Sequence, residues 1–171
     1  MGVLRELGYE PKAPNVVQRV LQRVASSRPG SWFFSRTLHP IDKFLFARTG
    51  GRVTLPGIIA GLPVVMLTTT GAKSGLERQM PVLGIPIAQD LAIIGSNFGQ
   101  RSTPGWVYNL EAGPQAMVEY RGRTVAVTAR DADGTEEGEA FRLARPIYGG
   151  FDAYVERAGH RRIRVFILES G

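Results

Sequence analysis

A chain of 171 residues is the size of one domain and long enough to bury a real core. It has no cysteine, which excludes a disulfide framework, a thiolate metal site and a cysteine nucleophile, and with only His39 and His160 no histidine-rich metal centre is expected. The net charge of +6 is uneven: residues 1–60 hold nine Lys/Arg against three Asp/Glu, while residues 61–171 hold twelve of each, so the main body offers no basic face for nucleic acid.

No leader pattern opens the chain, and no apolar run reaches the ~18 residues of a membrane span. Leu55–Leu67 comes nearest, and Pro56, Gly57, Gly61 and Pro63 break it. A cytoplasmic protein is expected. Met1–Pro14 has no clear periodicity and reads as an arm or loop. Asn15–Ser27 reads as a helix, with Val16, Val17, Val20, Leu21 and Val24 on one face and Gln18, Arg19, Gln22 and Arg23 on the other. Such a helix suits either a cover over a core or a seat on anionic lipid. Ser31-Trp32-Phe33-Phe34 and Phe44-Leu45-Phe46 form an aromatic-rich segment, with a short second helix expected over Ile41–Arg48.

From Gly61 onward the pattern is mostly β. Strands are expected at Val64–Thr70, Gln79–Ala88 and Leu91–Ser96, the last two joined by a turn at Gln89-Asp90. Thr103 is expected to cap a short helix with Pro104 at its first position, ending at Gly113-Pro114. Gln115–Tyr120 and Thr124–Ala129 read as a hairpin around Arg121-Gly122-Arg123. Asp133-Gly134 leads into a helix over Thr135–Ala144, a second helix covers roughly Phe151–Arg157, and a last strand spans Ile163–Leu168. Five or six antiparallel strands with a few helices make a small barrel or curled sheet.

Two stretches carry the chemistry. In Val64–Val82 a β-branched run stops at Gly71 and gives way to Lys73, Ser74, Gly75 and Arg78. A strand, a glycine turn and cations can hold an anion, because the turn gathers backbone N–H groups and the side chains add formal charge. The spacing is not that of a nucleotide-triphosphate P-loop, and a hairpin with solvated basic residues is the plain alternative. In the second stretch, Ser96-Asn97-Phe98-Gly99 turns directly after a strand, and the helix beyond it carries Trp106 and Asn109 on one face. An indole beside an amide can border a planar ligand; equally, Trp106 can be core and Asn109 can pin the adjoining loop. No Ser-His-Asp arrangement is visible, and Asp131 and Asp133 read as solvated residues beside a turn. A ligand site without its own acid–base apparatus suits an enzyme whose cofactor does the chemistry.

The run Gly71-Ala72-Lys73-Ser74-Gly75, then Arg78 and Pro81, then Ser96-Asn97-x-Gly99, then Pro104-x-Trp106-x-Tyr108-Asn109-Leu110 closely resembles the deazaflavin-dependent nitroreductase family. These are split β-barrel flavin/deazaflavin oxidoreductases of actinobacteria that use coenzyme F420, an 8-hydroxy-5-deazaflavin. The resemblance implies an α+β fold: a split β-barrel of the FMN-binding, pyridoxamine-phosphate-oxidase-like kind, with mostly antiparallel strands and peripheral helices. It implies a barrel domain over residues 56–171 and an N-terminal helical extension over residues 1–55. It also implies coenzyme contacts from Lys73, Ser74, Gly75 and Arg78 to the phosphate and acidic tail. Ala72 stands where the family often has arginine, and Met80 where threonine is usual. Pro81 and Val82 are expected to run past the ring, with Ser96, Asn97 and Gly99 beside it and Trp106 and Asn109 bordering it. Tyr148, Phe151 and Tyr154 fall where nitroimidazole-activating members carry three tyrosines in the acceptor pocket, and Phe151 removes the middle hydroxyl.

The implied reaction is hydride transfer from the reduced deazaflavin to an electrophilic small molecule: a quinone, an enone or lactone, or a nitroaromatic. Ser96 and Tyr154 are the candidate hydroxyls for the accompanying proton, and no metal is expected. Peripheral membrane contact through the N-terminal helix would suit a lipid-soluble quinone. The rival readings are an FMN- or haem-binding oxidoreductase of the same barrel, and a non-catalytic deazaflavin-binding protein.

Overall fold

The structure, a computed structural model, describes residues 2–10, 62–148, 151–159 and 161–171, apart from the side chains of Phe98, Tyr154 and Ala158. The helices expected over Asn15–Ser27 and Ile41–Arg48, the aromatic segment, His39, His160 and the domain boundary near residue 55 lie outside the described residues.

Seven strands form one sheet: β1 (Val64–Thr70), β2 (Glu77–Leu83), β3 (Ile85–Ile87), β4 (Asp90–Ile94), β5 (Gln115–Tyr120), β6 (Arg123–Asp131) and β7 (Val165–Ser170). Every pairing is antiparallel, and the spatial order is β2-β1-β5-β6-β7-β4-β3. The two strands at opposite ends of that order, β2 and β3, follow each other in sequence with only Gly84 between them. One stretch of chain therefore serves both edges, pairing with β1 in its first half and with β4 in its second. A sheet with that connectivity must curl, and its open edges are reduced as in a barrel. The fold is α+β, a curled antiparallel half-barrel with helices around it.

Among the described residues the helices are α1 (Val3–Leu7), α2 (Gly105–Ala112), α3 (Gly134–Ile147) and α4 (Phe151–Ala158). Inside the curl, Val65 and Leu67 of β1 meet Leu91 and Ile93 of β4 and Phe166 and Leu168 of β7. Trp106, Val107 and Leu110 of α2, and Val3, Leu7 and Tyr9 beside α1, pack on the same cluster. The strand period of two sends the alternate residues outward. There Ile85, Ile87, Ala92, Val165 and Ile167 form a second core with Ala140 and Ala144 of α3 and with Tyr148 and Phe151.

The structure differs from the sequence expectation in several places. Residues 3–7 are helical rather than an arm: five residues are too few to show a period, and tertiary bonds fix them. The Val3 N–H donates to Asp90 Oδ1 at 3.2 Å and the Leu4 N–H to the Gln89 carbonyl at 3.1 Å. Gly8 ends the helix in the left-handed region at φ 58°. The expected strand Gln79–Ala88 is two strands, because Gly84 breaks it where Tyr9 comes against the backbone. The Tyr9 hydroxyl donates to the Gly84 carbonyl at 2.6 Å, with the Pro63 carbonyl 3.1 Å away. The β3–β4 turn falls one residue early, at Ala88-Gln89. Thr103 does not cap α2; Pro104 stands at the cap with extended backbone, and the helix begins at Gly105. Asp133 is not merely solvated: its carboxylate accepts from the Thr135 and Glu136 N–H groups, completing a capping box with Glu136. Asp131 bonds Arg164 at 2.7 Å.

Candidate functional site

The loop after β1 is a tight turn held largely by its own backbone. Gly71 N–H donates to the Leu76 carbonyl at 2.8 Å, and the Ser74 and Gly75 N–H groups donate to the Gly71 carbonyl at 3.2 and 2.8 Å. Ser74 Oγ accepts from the Leu76 N–H and from Arg78 Nη2, each at 3.3 Å. Gly75 sits at φ 65°, which glycine tolerates best. Most amides of the turn are therefore spent within it. What it offers outward is charge: Lys73 and Arg78 are exposed, and neither forms an ion pair among the described residues.

Helix α2 ties this loop to the second stretch. Asn109 Oδ1 accepts from the Ala72 N–H at 3.0 Å, and Asn109 Nδ2 donates to Thr69 Oγ1 at 2.9 Å. Thr69 is the buried polar residue of the core, 3% exposed, and this bond satisfies its hydroxyl. Two residues earlier on α2, on its other side, Val107 lies against Gly95, where an added Cβ would stand 3.0 Å from Val107 Cγ2. The Lys73 loop and the turn after β4 thus flank the same short helix at one end of the barrel.

That turn is a single 3-10 turn over Asn97–Gly99. Asn97 takes φ 47°, and its Nδ2 donates to the Ser102 carbonyl at 2.8 Å. Beneath it lies Arg161, which no sequence motif singles out. Its Nη2 donates to the carbonyls of Gly95 and Ser96, both at 3.0 Å, and its Nε to that of Gln100 at 3.4 Å. Burial pushes the Arg161 guanidinium below the ordinary arginine value, with the Tyr108 phenol acting the other way. In sequence Arg161 is one of three arginines within four residues, a run that reads as solvated charge; only the tertiary structure shows the clasp.

The expected site residues fall into three groups. Lys73, Ser74, Gly75 and Arg78 share one loop, while Ser96, Asn97 and Gly99 share the turn across α2. Trp106 is buried at 6% exposure with its ring edge-on to Phe166 at 6.0 Å, and Asn109 spends its amide on the Lys73 loop. Pro81 and Val82 point to opposite faces of β2, with Val82 packed on the inner core. Tyr148 and Phe151 are buried in the outer core, where Phe151 stacks at a tilt on Phe141, 5.7 Å between centroids. Tyr154 lies on α4, and its side chain is outside the described atoms. No group of metal-ligating side chains occurs among the described residues.

A curled antiparallel half-barrel with peripheral helices is the fold of the split-barrel flavin and deazaflavin oxidoreductases, and here it sets a cationic loop and a polar turn on either side of a short helix. The family profile described as F420H(2)-dependent quinone reductase matches residues 42–170, and the chain belongs to that family. A stretch of 88 residues is 30% identical to an F420H(2)-dependent quinone reductase of Mycobacterium tuberculosis (strain H37Rv), covering 50% of this chain and 57% of the relative. The chain thus spans somewhat over half the length of the curated relatives it matches. Among solved structures, an F420-H2 dependent reductase is 33% identical with a TM-score of 0.57, covering 63% of this chain and 94% of its own. A chain described as a domain-swapped dimer is 30% identical with a TM-score of 0.60, covering 82% of this chain and 99% of its own.

Proposed function

We propose that this protein is an F420H2-dependent reductase that delivers a hydride to an electrophilic small molecule, a quinone first among them. The observation that carries the reading is the family match across both motif stretches, which α2 brings together at one end of the barrel. The residues present fit an anionic coenzyme. Among the described residues, Lys73 and Arg78 present charge without carboxylate partners, and the buried Arg161 Nη1 has no hydrogen-bond partner.

When bound, the reduced deazaflavin supplies a two-electron hydride. The chain's own part is to bind and orient. Lys73 and Arg78 would hold the phosphate and acidic tail, with the Ser74–Gly75 turn fixing the loop that presents them, and Asn109 keeps that loop in place. Ser96, Asn97 and Gly99 meet the ring. Pro81, Val82 and Trp106 support the binding site through the strand and core that carry them. A proton for the reduced acceptor comes from water or from the Ser96 or Tyr154 hydroxyl, with Tyr148 and Phe151 shaping the acceptor side. The amphipathic Asn15–Ser27 stretch supports a peripheral contact with anionic lipid at the cytoplasmic face, where a lipid-soluble quinone would be met.

Titration with oxidised coenzyme F420, followed by ligand fluorescence with FMN in parallel, tests the reading. Selective deazaflavin binding, weakened about tenfold (~1.4 kcal/mol) in Lys73→Ala, is the expected result. Tighter FMN binding would move the chain to the flavin branch, and binding without oxidation of the reduced coenzyme by any quinone would make it a carrier.

A further inference from the structure

Residues 161–164 read Arg-Arg-Ile-Arg, and the three arginines are not equivalent. Arg162 stands 3.8 Å from Glu137, and Arg164 pairs with Asp131 at 2.7 Å and Glu111 at 3.3 Å. Arg161 has no carboxylate partner among the described residues. Among the described residues its acceptors are three carbonyl oxygens, all in the turn after β4, and its buried Nη1 has no partner. Arg161 is part-buried, so its guanidinium is only partly withdrawn from water, and the carbonyl dipoles offset part of the cost of that withdrawal. Arginine does not escape by losing its proton, so the turn over Ser96–Gln100 carries a standing positive charge. Of the described residues around it, Tyr108 comes from α2, and α4 carries Asp152, Glu156 and Arg157; Asp152 is held by Arg145 at 2.8 Å, and neither Asp152 nor Glu156 forms an ion pair with Arg161.

We propose that Arg161 is a positioning residue that both shapes the Ser96–Gln100 turn and holds the ring of the bound ligand in its anionic form. The inference rests on the deazaflavin reading above. The 8-hydroxyl of that ring is phenol-like and conjugated with the heterocycle, so its proton leaves to solvent and the negative charge spreads over the ring. A fixed cation beside the ring favours that anion and lowers the pH at which it forms.

The test is a pH titration of the absorbance of oxidised F420 bound at saturation to the wild type, Arg161→Lys and Arg161→Gln. With Arg161→Gln, the bound chromophore should ionise about one pH unit higher than in the wild type, or ~1.4 kcal/mol. Arg161→Lys, which keeps the charge and loses the fork, should shift it less while weakening affinity. A role confined to clasping carbonyls would change affinity in both variants and leave the ionisation where it was, and that result overturns the proposal. Should Arg161→Gln fail to fold, the wild type still decides: its bound chromophore must ionise at a lower pH than the free coenzyme. Absence of F420 binding to the wild type would overturn the deazaflavin reading together with this one; binding with an unshifted ionisation would overturn this one alone.

Discussion

Gly84 is where a single atom decides the course of the chain. A Cβ there would stand 2.8 Å from the Tyr9 hydroxyl oxygen and 3.2 Å from Val65 Cγ1. Gly84→Ala should therefore cost ~1–3 kcal/mol in urea unfolding, as overpacking does. Part of that cost should be recovered in Gly84→Ala/Tyr9→Phe, since the two positions touch. Tyr9 carries a prediction of its own. Burial, with a smaller contribution from Tyr120, holds its phenol well above the ordinary tyrosine range. The folded state thus favours the neutral form. The associated stability is intact below pH ~10 and is lost as pH rises past it towards the folded value. Alkaline unfolding curves of the wild type should fall more steeply above that pH than those of Tyr9→Phe; parallel curves would show that the phenol's burial has no such effect.

The elements were legible where their residues state their own geometry. Val64–Thr70 reads as a strand because β-branched residues alternate inward and outward. Gln115–Tyr120 is followed by Arg121 and Gly122, both at positive φ, which is the geometry of a two-residue hairpin. Asp133 and Glu136 spell a capping box three residues apart, although the cap itself was not foreseen. What was not legible depends on partners distant in sequence. The α1 helix is fixed by residues 89 and 90, the Gly84 break by Tyr9, and the use of Arg161 by carbonyls more than sixty residues earlier. The candidate site was legible as two stretches; that Asn109 joins them is a fact of three dimensions.

Three predictions belong to these elements. Asn109→Ala removes both the acceptor for Ala72 and the donor to Thr69, so hydrogen exchange at the Ala72 amide should quicken and F420 affinity should fall about tenfold, ~1.4 kcal/mol. Arg130 of β6 hydrogen-bonds Glu136 of α3 at 2.6 Å and holds its carboxyl down at about 2, with the Asp133 N–H helping. A depressed pKa stabilises the fold above the ordinary carboxylate range, and that contribution is lost as pH falls through the range towards 2. The fall in Tm on acidification should be shallower in Glu136→Gln than in the wild type. Asp133→Ala should cost ~1 kcal/mol by loss of the cap.

At the scale of the whole molecule, the two cores lie on opposite faces of one sheet, and the Glu77–Ile87 stretch belongs to both. They should unfold together. Leu67→Ala in the inner core and Ile85→Ala in the outer core should each cost ~2–5 kcal/mol. In both variants, tryptophan fluorescence and far-UV circular dichroism should trace a single coincident transition. Separate transitions would mean that the outer core and its helices melt independently. The order of the strands also bears on how the chain is made. β7, the last strand in sequence among those described, lies between β6 and β4 rather than at an edge. While the chain emerges from the ribosome, the pieces β2-β1-β5-β6 and β4-β3 can assemble, but each presents a bare flank towards the missing strand. Until residues 165–170 are released, the nascent protein has two open edges that can pair with each other or with another chain. Slowed synthesis near the end of this domain should therefore raise the aggregated fraction more than the same delay placed earlier.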